Sequence, residues 1–303
     1  MTTGNVVFLV ILLLAAAFLA YNAQRLYRYM TMVGKPEHRL NDPVRRLWNL
    51  LTIGFAQTKI LRDPTAGTSH AFVFWGFLVV TIGTIEVFVQ GVWDGFSYAS
   101  YLPAPVYAVY ALSQELFALL ILAAVSYLIY RRVVIKPKRL QGDVVHGTEA
   151  VVILATIGVL MLTLLITGTM EAIHEPDAPA GYGRLVGHGL ALGLSGVLSP
   201  STAHAIRDAS WWTHAILVLG FINFLPYSKH LHVLVSLPNV FLSNTSGPGP
   251  IGVMRAMDLE DENAEQFGAS DVEHLSWKSL LERRLRGAHV TSSSPNSCTT
   301  TSS

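Results

Sequence analysis

Apolar positions in this chain come in long unbroken runs, separated by basic, glycine-rich or polar connections. Five runs approach the ~20 residues that a helix needs to cross a hydrocarbon core. They predict membrane spans over about 5–27, 70–92, 105–130, 147–170 and 210–234. Residues 183–199, "GRLVGHGLALGLSGVLS", are apolar but short and rich in glycine, which predicts a re-entrant or interfacial helix on the outer face. Residues 43–61, "PVRRLWNLLTIGFAQTKIL", have the mixed basic and apolar pattern of an amphipathic helix lying on the cytoplasmic surface. The expected fold class is therefore an all-α membrane protein, a five-span helical bundle with one outer re-entrant or interfacial helix.

Composition agrees. Of 303 residues, 51% are hydrophobic and 14% charged, with mean hydropathy +0.43, too apolar for an ordinary soluble domain. A net charge of +1 offers no bulk field for nucleic acid. A single cysteine, Cys298, cannot build a disulfide framework or a cysteine-ligated cluster, so no iron–sulfur cluster is expected within this chain. Three segments are predicted: a transmembrane domain over 1–245, a cytoplasmic linker over 246–282, and a disordered tail over 283–303.

Charge sets the expected orientation. Loop 25–68 holds eight Lys or Arg and 131–145 holds five, whereas 93–104 holds none and 171–209 only Arg184 and Arg207. The positive-inside rule places the two basic loops in the cytoplasm, N-terminus out and C-terminus in, as expected of a multi-pass protein of a cell's inner (cytoplasmic) membrane. No basic residue precedes the first run while Arg25, Arg28 and Lys35 follow it, the charge order of an uncleaved anchor.

The chemistry rests on histidine. There are 11, several in or beside apolar runs. His214 and His232 are 18 residues apart, which on one continuous helix at about 100° per residue returns to the same face. Two same-face imidazoles near opposite membrane surfaces suit two stacked b-type haems, one or both present. His70 opens the second span at the depth where His232 closes the fifth, making them the first-choice axial pair. The partner of His214 is left among His188 in the re-entrant segment and, more weakly, His174 and His204; His146 is an alternative inner ligand. Glu86 and Gln90 in the second span, with Gln114 and Glu115 in the third, read equally well as proton-exchange groups at a quinone site or as buried structural pairs. Glu86 and Glu115 are the candidate quinone-site residues.

The stretches "HAFVFWGFLVVTIGTIE" at 70–86 and "WWTHAILVLGFINFLPYSKHLHVLVSLPNV" at 211–240 closely resemble the membrane domain of heterodisulfide-reductase-like iron–sulfur oxidoreductases of the electron-transfer-flavoprotein:menaquinone type, related to the nitrate reductase gamma subunit. The resemblance covers roughly residues 1–280. It implies a gamma-like dihaem cytochrome b domain in which His70, His214 and His232 match haem ligands. The gamma subunit's fourth ligand falls ten residues after the first, where this chain has Val80. A segment like "DVEHLSWKSLL" at 271–281 leads, in the family, into a cysteine cluster; here a Ser/Thr-rich tail follows, as expected of a shortened product. The function implied is a membrane electron-transfer module carrying haem b between a cytoplasmic iron–sulfur or electron-transfer flavoprotein partner and the (mena)quinone pool. The alternatives are a haem-free membrane anchor for a soluble reductase and a gamma-type quinol-oxidising subunit.

Overall fold

The structure is a computed structural model that describes residues 2–31, 40–137, 144–175, 183–243 and 245. The expected linker over 246–282 and tail over 283–303, with Cys298, lie outside the described residues. All regular structure among the described residues is helical: α1 (Thr3–Thr31), α2 (Pro43–Asn49), α3 (Ala66–Val92), α4 (Ala104–Tyr130), α5 (Val144–His174), α6 (Leu185–Leu194), α7 (Pro200–Phe224) and α8 (His232–Phe241). Five stretches among the described residues are long and apolar enough to cross a membrane: Thr3–Tyr29, Ala66–Val92, Ala104–Ile135, Thr148–His174 and Pro200–Tyr227. The chain divides into two compact units, residues 1–19 with 59–224 and residues 20–58 with 225–303.

In the first unit, helix starts are set by local chemistry. The Asp63 carboxylate accepts from the Thr65 and Ala66 backbone N–H groups, both at 3.1 Å, and so caps the open donors of α3. Ser199 Oγ accepts from the Thr202 N–H at 3.2 Å, and Pro200 fills the first position of α7, where its missing N–H costs nothing. This cap starts the fifth long helix ten residues earlier than its hydropathy predicts. The core of the unit joins α3, α4, α5 and α7 through Val80, Ala118, Ile121, Val125, Leu160, Met161 and Val218. Gly76 on α3 is the seat of Ile121, since a Cβ there would lie 2.5 Å from Ile121 Cγ1.

The first part of α1 docks by a stripe. Phe8 is 1% exposed and packs with Ala215 and Leu219, flanked by Ile11, Leu12 and Ala15 one and two turns on. Its ring lies 5.3 Å from Trp211 and 6.1 Å from Trp212, so the two tryptophans form the socket for α1. Asn5 Nδ2 donates to the Gly91 carbonyl at 3.1 Å, and a side chain at Gly91 would collide with the Phe8 ring.

In the second unit, the single amphipathic helix expected over 43–61 is broken. Helix α2 ends at Asn49, a π-helical turn covers Leu50–Phe55, and Gln57 takes φ 55°, which ends the helical path. Arg46 is 1% exposed and is the hub of this unit. Its guanidinium donates to the carbonyls of Asn41 (2.6 Å), Phe241 (2.8 Å) and Ser243 (2.8 Å) and to Asn41 Oδ1 (2.7 Å). Phe241 is the last residue of α8, so a buried cation closes the carbonyl end of that helix, where the dipole favours positive charge. Tyr227 Oη donates to Asn22 Oδ1 at 2.6 Å in the same unit.

Candidate functional site

The imidazole of His214, on α7, is 5% exposed and faces α5. Thr163 Oγ1 gives its own hydrogen to the Leu160 carbonyl at 2.8 Å, as Ser and Thr do inside helices. The Leu160 carbonyl and Thr163 Oγ1 both converge on His214 Nδ1, at 3.2 and 3.0 Å. Two acceptors at one ring nitrogen require that nitrogen to carry the hydrogen, so the network assigns the Nδ1–H tautomer. Nε2 then keeps its lone pair. It is buried with no hydrogen-bond partner among the described residues. Ser210 Oγ donates to the Thr163 carbonyl at 2.9 Å, tying the same two helices one turn away.

An imidazole held through Nδ1–H on a backbone carbonyl, with Nε2 presented into a dry interior, is the donor arrangement of a metal-ligating histidine. By that test His214 fits an axial haem ligand. Position 80, where the gamma subunit resemblance would put a fourth ligand, does not supply a second donor: Val80 is 7% exposed within the aliphatic core that also holds Val218 and Leu160. No group of three or more His, Cys, Asp or Glu among the described residues could hold a metal ion by itself.

The other candidates are placed as follows. His70 is half-buried in the first turns of α3, within the first unit, and His232 is half-buried at the start of α8, within the second. Regular α-helix stops at Phe224, because Pro226 lacks the N–H that would continue the ladder and disfavours helical geometry at the residue before it. Short 3-10 turns cover Leu225–Tyr227 and Lys229–Leu231. The 18-residue periodicity that joined His214 to His232 therefore does not run through one helix. His230 and His232 have ring centroids 5.6 Å apart. His188 is exposed on α6, at the edge of the buried face formed by Gly187 and Ala191. His174 and His204 stack on each other, centroids 4.6 Å apart and planes 23° apart, with Asp208 Oδ2 3.4 Å from His204 Nδ1.

The two intramembrane acids are each fully engaged. Glu86, 6% exposed, accepts from the Tyr98 N–H (2.7 Å), Ser97 Oγ (3.1 Å) and Tyr110 Oη (2.7 Å). It thereby staples the end of α3 to the following turn and to α4. Burial, with the Glu86 carboxylate adding to it, raises the Tyr98 phenol above its usual range. Glu115, 3% exposed, accepts from the backbone N–H groups of Val186 (2.7 Å) and Gly187 (2.8 Å). A carboxylate from α4 thus caps the N-terminus of α6, where open N–H groups and the helix dipole favour negative charge. Gly187 allows the approach, since a Cβ there would lie 2.9 Å from Glu115 Oε1 and 3.3 Å from the Gly168 backbone. Gly183 takes φ 85°, a region that L side chains avoid, and sits against the Ala108 backbone. Burial works against the charge of neighbouring Arg184, but Glu171, Tyr107 and Glu86 outweigh it and hold the guanidinium above its usual value. Gln114 Nε2 donates across to the Val79 carbonyl at 3.0 Å.

No protein-family model matches the chain, and no solved structure matches it. It is 30% identical over 278 residues, 91% of its length, to the "Probable iron-sulfur-binding oxidoreductase FadF" of Bacillus subtilis. It is 26% identical over 263 residues, 83% of its length, to the "EtfAB:quinone oxidoreductase" of Syntrophomonas wolfei. The chain spans 37% and 35% of the length of these two relatives. Over 91% of its length, then, the chain is similar to a probable iron–sulfur-binding oxidoreductase and over 83% to an EtfAB:quinone oxidoreductase, in accord with the resemblance carried by residues 70–86 and 211–240.

Proposed function

We propose that the chain is a membrane electron-transfer module that works between quinone in the bilayer and a cytoplasmic iron–sulfur or electron-transfer flavoprotein partner, with b-type haem as its carrier. The observation that carries this reading is His214. Its ring is fixed through Nδ1 by Leu160 and Thr163, and its buried Nε2 has no partner among the described residues. When bound there, haem would supply one-electron exchange. The chain's own part is to hold His214 in one tautomer, exclude water around it and tie α5 to α7. The sequence pairs His70 with His232 for a haem nearer the cytoplasmic face. Glu86 and Glu115 belong to this reading as supports, the first tying α3 to α4 and to the connection after α3, the second tying α4 to α6.

A reduced-minus-oxidised spectrum of the purified full chain, with haem counted against protein, is the test. His214→Leu is expected to lower the haem count by one, and His70→Ala or His232→Ala to remove the signal of the other haem. Unchanged content and spectra in these variants overturn the assignment. The aliphatic packing of Val80 favours a second reading, an anchor without haem at the His214 level; a wild-type chain that carries no haem when expressed with full haem supply establishes it.

The orientation proposed is N-terminus out. Ser201 is exposed in the first turn of α7. In a Cys298→Ser background, Ser201→Cys is expected to react with a membrane-impermeant thiol reagent from the outer side. Labelling from the cytoplasmic side alone inverts the topology.

A further inference from the structure

We propose that the groove between the first turns of α3 and the last turns of α4 holds the ring of a membrane quinone, with the hydroxyls of Thr68 and Tyr127 as its hydrogen-bond donors. The proposal rests on the quinone reading above and assigns it a place. The α3 wall is Thr65, Thr68, Ser69 and Phe72, and the α4 wall is Leu120, Ala123, Ala124 and Tyr127. Both are i, i+3, i+4, i+7 stripes, so each helix gives one whole face to the groove. The space is a shallow groove of about 380 Å³, open along one side of two helices that can cross a membrane, so that lipid or a neighbouring ligand chain would complete its outer wall. A ligand dissolved in lipid could enter it without passing through water.

Its chemistry is that of a flat, apolar ring bearing acceptors. Phe72 offers an aromatic wall, and Ala123 and Ala124 leave room beside it. Two of the hydroxyls are already spent: Ser69 Oγ donates to the Thr65 carbonyl at 3.1 Å and Thr65 Oγ1 to Asp63 Oδ1 at 3.0 Å. The Thr68 and Tyr127 hydroxyls have no hydrogen-bond partner among the described residues. A quinone carbonyl is an acceptor only, so two uncommitted donors on facing walls suit it, whereas an acyl chain has no use for them. The groove also has a fixed relation to the haem-ligand candidate on the same helix. At about 100° per residue, His70 projects roughly 150° away from the centre of the Thr65–Phe72 stripe. The quinone and the His70 imidazole would flank α3 from opposite sides, separated by one helix.

The test uses the purified full chain in lipid nanodiscs and a photoactivatable naphthoquinone, with unlabelled menadione as competitor and a photoactivatable phospholipid in parallel. The expected result is quinone labelling within 64–72 and 120–127 that menadione displaces. Thr68→Val and Tyr127→Phe keep shape and remove one donor each; each is expected to weaken binding about fivefold, the size of one neutral hydrogen bond. Ala123→Phe is expected to abolish labelling of the groove while melting at the wild-type temperature; if it unfolds, the two isosteric variants decide. Displaceable labelling at other helices overturns the groove and leaves the quinone reading standing. Phospholipid labelling of the groove that menadione does not displace makes it a lipid seat and overturns the proposal. No displaceable quinone labelling anywhere sinks both.

Discussion

Arg46→Leu is expected to cost the second unit about 3–5 kcal/mol, enough to unfold it at ordinary temperature. Leucine fills much of the volume of the arginine stem, so packing changes little. Lost instead are four short hydrogen bonds, 2.6–2.8 Å, from one buried guanidinium to oxygens of Asn41, Phe241 and Ser243. Each stranded oxygen has given up water and regains nothing, at about 1–3 kcal/mol apiece before relaxation. Arg46→Lys keeps the charge but not the planar fork, so it should recover only part of the loss. Arg45→Ala is the control: Arg45 is exposed and gives one bond, to the Thr245 carbonyl at 3.0 Å, worth about 1 kcal/mol. Thermal melting in detergent with limited proteolysis of 225–243 is the measurement. An Arg46→Leu protein that melts and resists protease like the wild type would refute the hub assignment.

The second large effect is expected at Glu115. Glu115→Ala leaves the Val186 and Gly187 N–H groups without acceptors in a site shut off from water. The expected cost is about 2–5 kcal/mol, confined mainly to the docking of α6. Glu115→Gln keeps one acceptor oxygen in nearly the same place and loses the charge, so its cost should be about half. Hydrogen exchange resolves this locally: the amides of 186–194 should exchange at least tenfold faster in Glu115→Ala, while those of the α3–α4 core hold their rates. Unchanged protection across α6 would mean that helix is held by Ala191 and its apolar neighbours alone.

Both effects come from contacts that a linear reading could not see. Glu115 and Gly187 are 72 positions apart, and Arg46 and Ser243 are 197 apart. Hydropathy identified the five long helices, since twenty apolar residues in a row admit few other solutions. It misplaced the start of α7 because "PSTAHAIRDAS" is polar; what makes it helical is the Ser199 cap and Pro200. It treated 43–61 as a surface helix because the arginines there looked solvated, while one of them is buried against backbone carbonyls. The prolines were visible too, yet counting 18 residues from His214 to His232 required a helix that Pro226 does not permit. His214 itself was legible as a lone histidine in an apolar run. Its tautomer was not, because Leu160 and Thr163 reach it from another helix.

The docking of α1 bears on how the protein is made. Beyond its stripe, the helix exposes Val10, Leu13, Leu14, Phe18 and Tyr21, a surface that hydrocarbon accepts as readily as protein. Such a helix is stable in a bilayer by itself, so insertion and assembly are separable events. Its place is marked by Asn5 and Phe8 where they meet Gly91, with Ile11, Leu12 and Ala15 continuing the stripe. A chain severed between α1 and α2 should then still assemble from its two pieces when they are made together, and Gly91→Val should stop that reunion while leaving each piece in the membrane.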